Sequence, residues 1–174
     1  MRSLTLFFFL GAFVTNSAFA ERADSDKPIH LASDRATVEN TGISNNKDRT
    51  SVFTGNVVLT QGTMIIRSDK MVIKEDEDGF QNAIAYGNLV SYRQKRNGKN
   101  EYVEGWGERM EYDSKADKVE FFKQARLRRG ADEVHGEYIS YEGSTEFFQV
   151  NNGTNTKSKN RVRAVIQPKK KKQK

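Results

Sequence analysis

Carboxylates are the side chains whose number and regularity in this 174-residue chain most invite a chemical reading. Glu104, Glu108, Glu111 and Glu120 lie close together in sequence, and two acids converging in a cleft would be the pair that glycoside hydrolysis needs. They fall, however, on the polar side of an alternating apolar–polar pattern, and acids recur at equivalent places along the chain. Repetition of that kind belongs to architecture. His30 and His135 are the only histidines. Each stands beside an apolar residue, with no second histidine or acid cluster at ligand spacing, so both read as surface imidazoles and no metal site is expected. The chain has no cysteine, which removes thiol catalysis and thiolate metal sites. Neither phosphate-binding glycine motif, G-x-x-x-x-G-K-S/T or G-x-G-x-x-G, occurs, so nucleotide use is unsupported. The expectation is a non-enzyme with no catalytic residue and no cofactor.

The recurring acids belong to a six-residue pattern that appears four times: Ser33-Asp34-Arg35-Ala36-Thr37-Val38, Ser68-Asp69-Lys70-Met71-Val72-Ile73, Gly107-Glu108-Arg109-Met110-Glu111-Tyr112 and Gly136-Glu137-Tyr138-Ile139-Ser140-Tyr141. Their starts are 35, 39 and 29 residues apart, the range of stacked supersecondary units that bury a shared face only when several are lined up. Phe53 to Leu59 and Phe121 to Leu127 repeat at a constant offset of 68, as do Gly62 and Gly130.

Apolar residues alternate with polar ones through Ile29 to Val38, Val52 to Gln61, Met64 to Ile73, Ala83 to Arg93, Glu101 to Tyr112, Val119 to Arg128, Val134 to Tyr141, Thr145 to Val150 and Arg161 to Ile166. That period of two predicts strands with one wet face. Gln61-Gly62-Thr63 reads as a turn, Asn97-Gly98 as a hairpin signal, and Gly42 to Thr50 as a loop. The two prolines, Pro28 and Pro168, bracket this region and leave its ladders uninterrupted. No stretch has helical spacing over three turns, so the fold class is all-β.

Residues 1–20 read as a cleaved signal peptide: Arg2, an apolar run from Leu4 to Val14, then Ala18-Phe19-Ala20. Residues 21–27 form a polar leader, 28–168 a single β domain, and 169–174 a lysine-dense basic tail. Losing Arg2 lowers the formal charge from +6 to +5, and much of the excess sits in that tail. The body is close to balanced, which does not suit a nucleic-acid binder.

The apolar side of the alternation collects Ile29, Leu31, Phe53, Val57, Leu59, Met64, Ile66, Met71, Ile73, Met110, Tyr112, Phe121, Leu127, Ile139 and Tyr141, with Leu89 or Tyr92 added beyond a twist in register. Small residues on the same parity, Gly55, Ala125, Ser68 and Gly136, are expected to leave room between the layers. The terminal strands have no capping repeat, and unpaired edges invite end-to-end association.

On these residues the chain resembles the OstA-like family, the lipopolysaccharide-transport A (LptA) proteins of the Gram-negative periplasm. The matching stretches are Pro28 to Asp34, Phe53 to Val57, Gln61-Gly62-Thr63, Ser68-Asp69-Lys70, Val103-Glu104-Gly105, Met110-Glu111-Tyr112, His135 to Tyr141 and Arg161-Val162 to Pro168. The resemblance implies a twisted, open β-jelly roll of tandem OstA-like hairpin repeats, located in the periplasm. Its apolar groove would shield the acyl chains of lipopolysaccharide between the inner and outer membranes. It further implies head-to-tail copies between an inner-membrane complex, LptC with an ABC transporter, and outer-membrane LptD. Ser25, Ile29, Leu31, Tyr92 and Tyr112 match lipid-contacting positions of the family. Together with the alternation, this gives an expected lipid-binding set of Ile29, Leu31, Phe53, Val57, Leu59, Ile66, Tyr92, Met110, Tyr112, Phe121, Leu127 and Ile139. The expected partner interface is Ile29, His30, Leu31, Val162, Ala164 and Ile166. Where the family keeps Gly-Asn before the third repeat's strand, this chain has Lys123-Gln124. The rival reading is a structural or adaptor β-repeat protein of the cell envelope with a dry, closed core.

Overall fold

The computed structural model describes residues 24–40, 48–152 and 161–168. The signal segment, the start of the leader, most of the predicted loop at 42–50 and the basic tail lie outside the described residues.

Ten strands follow one another: β1 (Ile29–Ala32), β2 (Arg35–Asn40), β3 (Arg49–Gln61), β4 (Met64–Asp76), β5 (Gly79–Lys95), β6 (Tyr102–Asp113), β7 (Lys118–Arg129), β8 (Asp132–Glu142), β9 (Phe148–Asn151) and β10 (Arg163–Val165). They form one antiparallel sheet in the order β1-β3-β4-β5-β6-β7-β8-β10, with β2 also on β3 and β9 also on β8. The sheet does not close on itself. It begins at β1 and β2 and ends at β9 and β10. The expected first strand, Ile29 to Val38, is two: Ser33-Asp34 breaks it, and β1 and β2 pair with different halves of β3. Arg49 and Thr50, expected in a loop, open β3, while Thr145 to Phe147, expected in a strand, form the turn before β9.

The ladders shift register at mid-strand, between Thr54 and Val57, Arg67 and Lys70, Tyr86 and Val90, Trp106 and Arg109, and Phe122 and Ala125. Such bulges bend a strand and increase its twist. Their conformation is left-handed at Gly55 and Asn56 (φ 80° and 45°) and at Lys123 and Gln124 (φ 59° and 48°). The repeated acids face these bulges. Asp34 Oδ2 accepts from Asn56 Nδ2 at 3.1 Å, Asp69 Oδ2 from the Asn88 amide at 3.1 Å, and Glu108 Oε1 from Gln124 Nε2 at 2.9 Å. In three of its four copies the repeated motif thus supplies the acid that hydrogen-bonds a bulge on a neighbouring stretch of strand.

Bending folds every long strand double. Straight, a 12-residue strand such as β6 would run about 40 Å, and the β5–β6 hairpin and β8–β9 turn would stand at opposite ends of it. Instead Arg96 of the hairpin and Glu146 of the turn are 2.6 Å apart. One sheet therefore makes two layers, joined along an apex by the bulges and meeting again along a seam of turns.

Between the layers the apolar parity fills the core. Leu59, Met64, Ile66, Met71, Met110, Phe121 and Ile139 are fully buried, each worth about 1.5–3 kcal/mol relative to exposure. Tyr92 edges onto Phe121 with ring centroids 5.9 Å apart, and a Cβ on Gly105 would overlap the Phe121 ring. Phe121 thus lies against a residue of the opposite layer. The small residues do not leave the expected room. Gly55 and Gly136 are filled up to by Asp34 and by Val150, and Ser68 and Ala125 are buried. Of the two alternatives at the twist, Tyr92 enters the core, whereas Leu89 sits in the bulge at φ 107° with its side chain exposed.

Candidate functional site: the apolar interior and its seam

Of the expected lipid-binding residues, Val57, Leu59, Ile66, Tyr92, Met110, Tyr112, Phe121, Leu127 and Ile139 are all buried together in the interior, at no more than 4% exposure. Ile29, Leu31 and Phe53 are half-buried and pack against the same cluster. Alternation located the face correctly, but the expected accessible groove is sealed by its own side chains. The reason is the double fold: the apolar surface of each layer finds its partner in the other layer of the same sheet.

What closes the seam is polar. Arg96 Nε and Nη2 donate to Glu146 at 2.9 and 2.6 Å, Lys99 Nζ joins at 3.0 Å, and Arg129 Nη1 reaches the Glu146 backbone oxygen at 3.4 Å. These cations, Arg96 foremost, hold the Glu146 carboxyl at about 2, below its ordinary 4.5. The leader also folds onto the seam. Asp24 accepts from the Thr63 amide at 2.7 Å, Thr63 Oγ1 at 2.5 Å and Gln94 Nε2 at 3.1 Å. Gln61 Nε2 donates to the Ser25 and Lys27 carbonyls at 3.0 and 3.1 Å.

Just inside lie three phenols. Burial, with the nearby acids Asp117 and Asp24, pushes Tyr112 up to about 12. Burial, with Glu146 beside it, does the same for Tyr141. Burial holds Tyr92 well above the ordinary phenol value, reinforced by Tyr112 and Tyr141, and its hydroxyl donates to Gln94. Ser25 and Tyr112 share the wall of a seam cavity of about 210 Å³. Asp24, Arg96 and Glu146 were not among the residues singled out from sequence. The only signals were Asn97-Gly98, which marks the hairpin carrying Arg96, and the Gly143-Ser144 turn before Glu146.

The expected interface residues lie on the two open edges. Ile29, His30 and Leu31 are in β1, with His30 exposed on the outer side. In β10, Ala164 pairs with Val134 and so continues the inner parity. Val162 and Ile166 flank it with 47% and 80% of their surface exposed. The glutamates weighed for catalysis are engaged on the outer face: Glu104 by Arg128, Glu111 by Arg109, and Glu120 by Lys118 and Tyr138. Glu111 and Glu120 face one another across β6 and β7 on that open surface. His135 bonds Glu133 at 2.6 Å. Among the described residues no helix is long and apolar enough to cross a membrane.

Comparison with known proteins places this architecture. Residues 30–147 match the family model described as LptA/(LptD N-terminal domain) LPS transport protein. The lipopolysaccharide export system protein LptA of Escherichia coli K12 is 35% identical over 127 residues, covering 71% of this chain and 64% of that protein. The chain thus aligns with somewhat less than two thirds of that relative's length. LptH of Pseudomonas aeruginosa, also named a lipopolysaccharide export system protein, is 27% identical over 178 residues, covering 99% of this chain and 98% of that protein. A crystal structure of LptH from Pseudomonas aeruginosa, described as the LptA-homologous periplasmic component of a lipopolysaccharide transport device, superposes with a TM-score of 0.73. It has 23% identity and covers 83% of this chain and 99% of that one, which establishes the open β-jelly roll. The chain belongs to the LptA/LptD N-terminal domain family of LPS transport proteins.

Proposed function

We propose that this protein is a non-enzymatic periplasmic bridge that carries lipopolysaccharide from inner to outer membrane, its interior shielding the acyl chains when the two layers part. The observation that carries the reading is the composition of the joint. Along the apex the layers share covalent strands, but along the seam they are held by side-chain bonds to Glu146, with the leader folded alongside, over a mostly apolar interior. Each acyl methylene removed from water contributes about 0.8 kcal/mol, so a multi-chain lipid offsets loss of the internal packing. Open edges at β1 and β10 let copies continue the same apolar face head to tail, by strand addition, toward LptC and the transporter on one side and LptD on the other. A chain of equal interiors passes cargo near isoenergetically, and direction is imposed by a motor elsewhere.

The filled interior also supports a second reading, an adaptor with a closed core and partners only at its edges. Leu31→Asp separates the two, because Leu31 is half-buried at the edge and tolerates charge better than the fully buried Leu59. Under the bridge reading, native mass spectrometry of the exported wild type finds bound glycolipid, and Leu31→Asp loses it with the circular dichroism spectrum unchanged. A wild type that leaves the periplasm free of glycolipid supports the adaptor.

A further inference from the structure

The seam cations are built around a carboxylate that the chain itself supplies. Glu146 sits in its turn at φ 57°, a left-handed conformation rare for a non-glycine residue, and its side chain reaches the opposite rim of the seam. There Arg96 grips both carboxylate oxygens through Nε and Nη2, and Lys99 Nζ takes Oε2 as well. The Arg96 side chain is only 10% exposed, and its remaining amine is fixed by Glu101 at 2.5 Å. Alongside is a cavity of about 320 Å³ walled in part by Lys95, Arg96, Lys99, Asp24 and Thr63, roomy enough for a phosphate group. The lowered pKa of Glu146, due first to its hydrogen bond from Arg96, agrees with that grip.

An amphiphile whose tails lie between the layers must leave its head at the seam, since along the apex the two layers are joined by the strands themselves. A guanidinium fork recognises carboxylate and phosphate with the same geometry. We infer that Arg96 and Lys99 form a phosphate site for the headgroup, which Glu146 fills as an internal surrogate while the seam is shut. A phosphorylated amphiphile displaces that carboxylate, so headgroup binding and seam opening are one event. This rests on the groove reading above and adds the recognition element and the trigger. A phosphate carries more charge than the carboxylate and three acceptor oxygens, which favours the exchange. Free inorganic phosphate has the same chemistry but brings no tails to hold the layers apart.

The test measures affinity of the mature full-length protein for bisphosphorylated lipid A and for lipid A stripped of both phosphates, with thermal melts confirming that each variant is folded. Wild type prefers the phosphorylated lipid by about tenfold or more, the scale of a lost charge-assisted hydrogen-bond pair. Glu146→Gln unlatches the seam and tightens binding of both lipids. Arg96→Gln also unlatches it, yet removes the preference, bringing the two affinities together. Lys99→Gln, at a half-exposed position, lowers the preference without altering the fold. Inorganic phosphate competes with the phosphorylated lipid and does not compete with the stripped one. An unchanged preference in Arg96→Gln, no tightening in Glu146→Gln, or equal competition by phosphate against both lipids overturns the inference. Equal wild-type affinity for the two lipids sinks this inference alone, and wild-type binding of neither sinks the groove reading with it.

Discussion

Phe121 and Gly105 set the distance between the layers: the ring occupies the space that a side chain at Gly105 would need. Gly105→Ala should therefore overpack the interior and lower stability by about 1–3 kcal/mol, read as a fall in the urea midpoint at constant slope. Titration of single residues makes a second prediction. Glu146 falls from its ordinary 4.5 to about 2 in the fold, so its contribution is fully present above pH 4.5 and disappears as pH drops toward 2. Tyr112 and Tyr141, raised from 10 to about 12, stabilise the fold below pH 10, and that contribution is lost as pH rises through 12. Stability measured by urea melts should decline on both limbs, and Glu146→Gln should flatten the acid limb only. An acid limb unchanged in that variant would mean the Arg96 pair does not hold the seam.

At the scale of elements, the mid-strand bulges convert ten strands into two layers, and the acids of the repeated motif keep those bulges hydrogen-bonded. Leu89 is the misfit: its φ of 107° belongs to glycine, and its side chain is exposed. Leu89→Gly should raise stability by about 1 kcal/mol, because strain at such a position is about 1–3 kcal/mol and the glycine's entropy offsets part of the relief. Calorimetry that finds a lower melting temperature would place Leu89 in a packing role instead. The repeat itself was legible from residue types alone, as was the period of two that sorts Leu59 inward and Thr60 outward. The meaning of the acid was not, because Asp69 and Asn88 are 19 residues apart in sequence and meet only once the register of β4 against β5 is known.

For the whole molecule, the open sheet leaves two edges, and the inner parity runs out to both. Removing the chain from Arg161 onward should leave a folded monomer, since β10 adds only the last rung on β8. Sedimentation velocity should then find no oligomers at concentrations where the full chain assembles; persistence of oligomers would refute edge-to-edge pairing. The apolar face was readable from the sequence, since burial follows alternation. Its closure was not, because doubling each strand brings together Arg96, Asp24 and Glu146, residues from three segments with no local signature in common. Parting of that closure for acyl chains is the claim on which the transport role stands. It is tested most directly with a photo-crosslinking side chain placed at Tyr112, inside the seam, and at His30, outside on β1, in cells making lipopolysaccharide. Glycolipid adducts are expected at Tyr112 and essentially none at His30; equal labelling at both, or none at Tyr112, would refute a seam that parts for acyl chains.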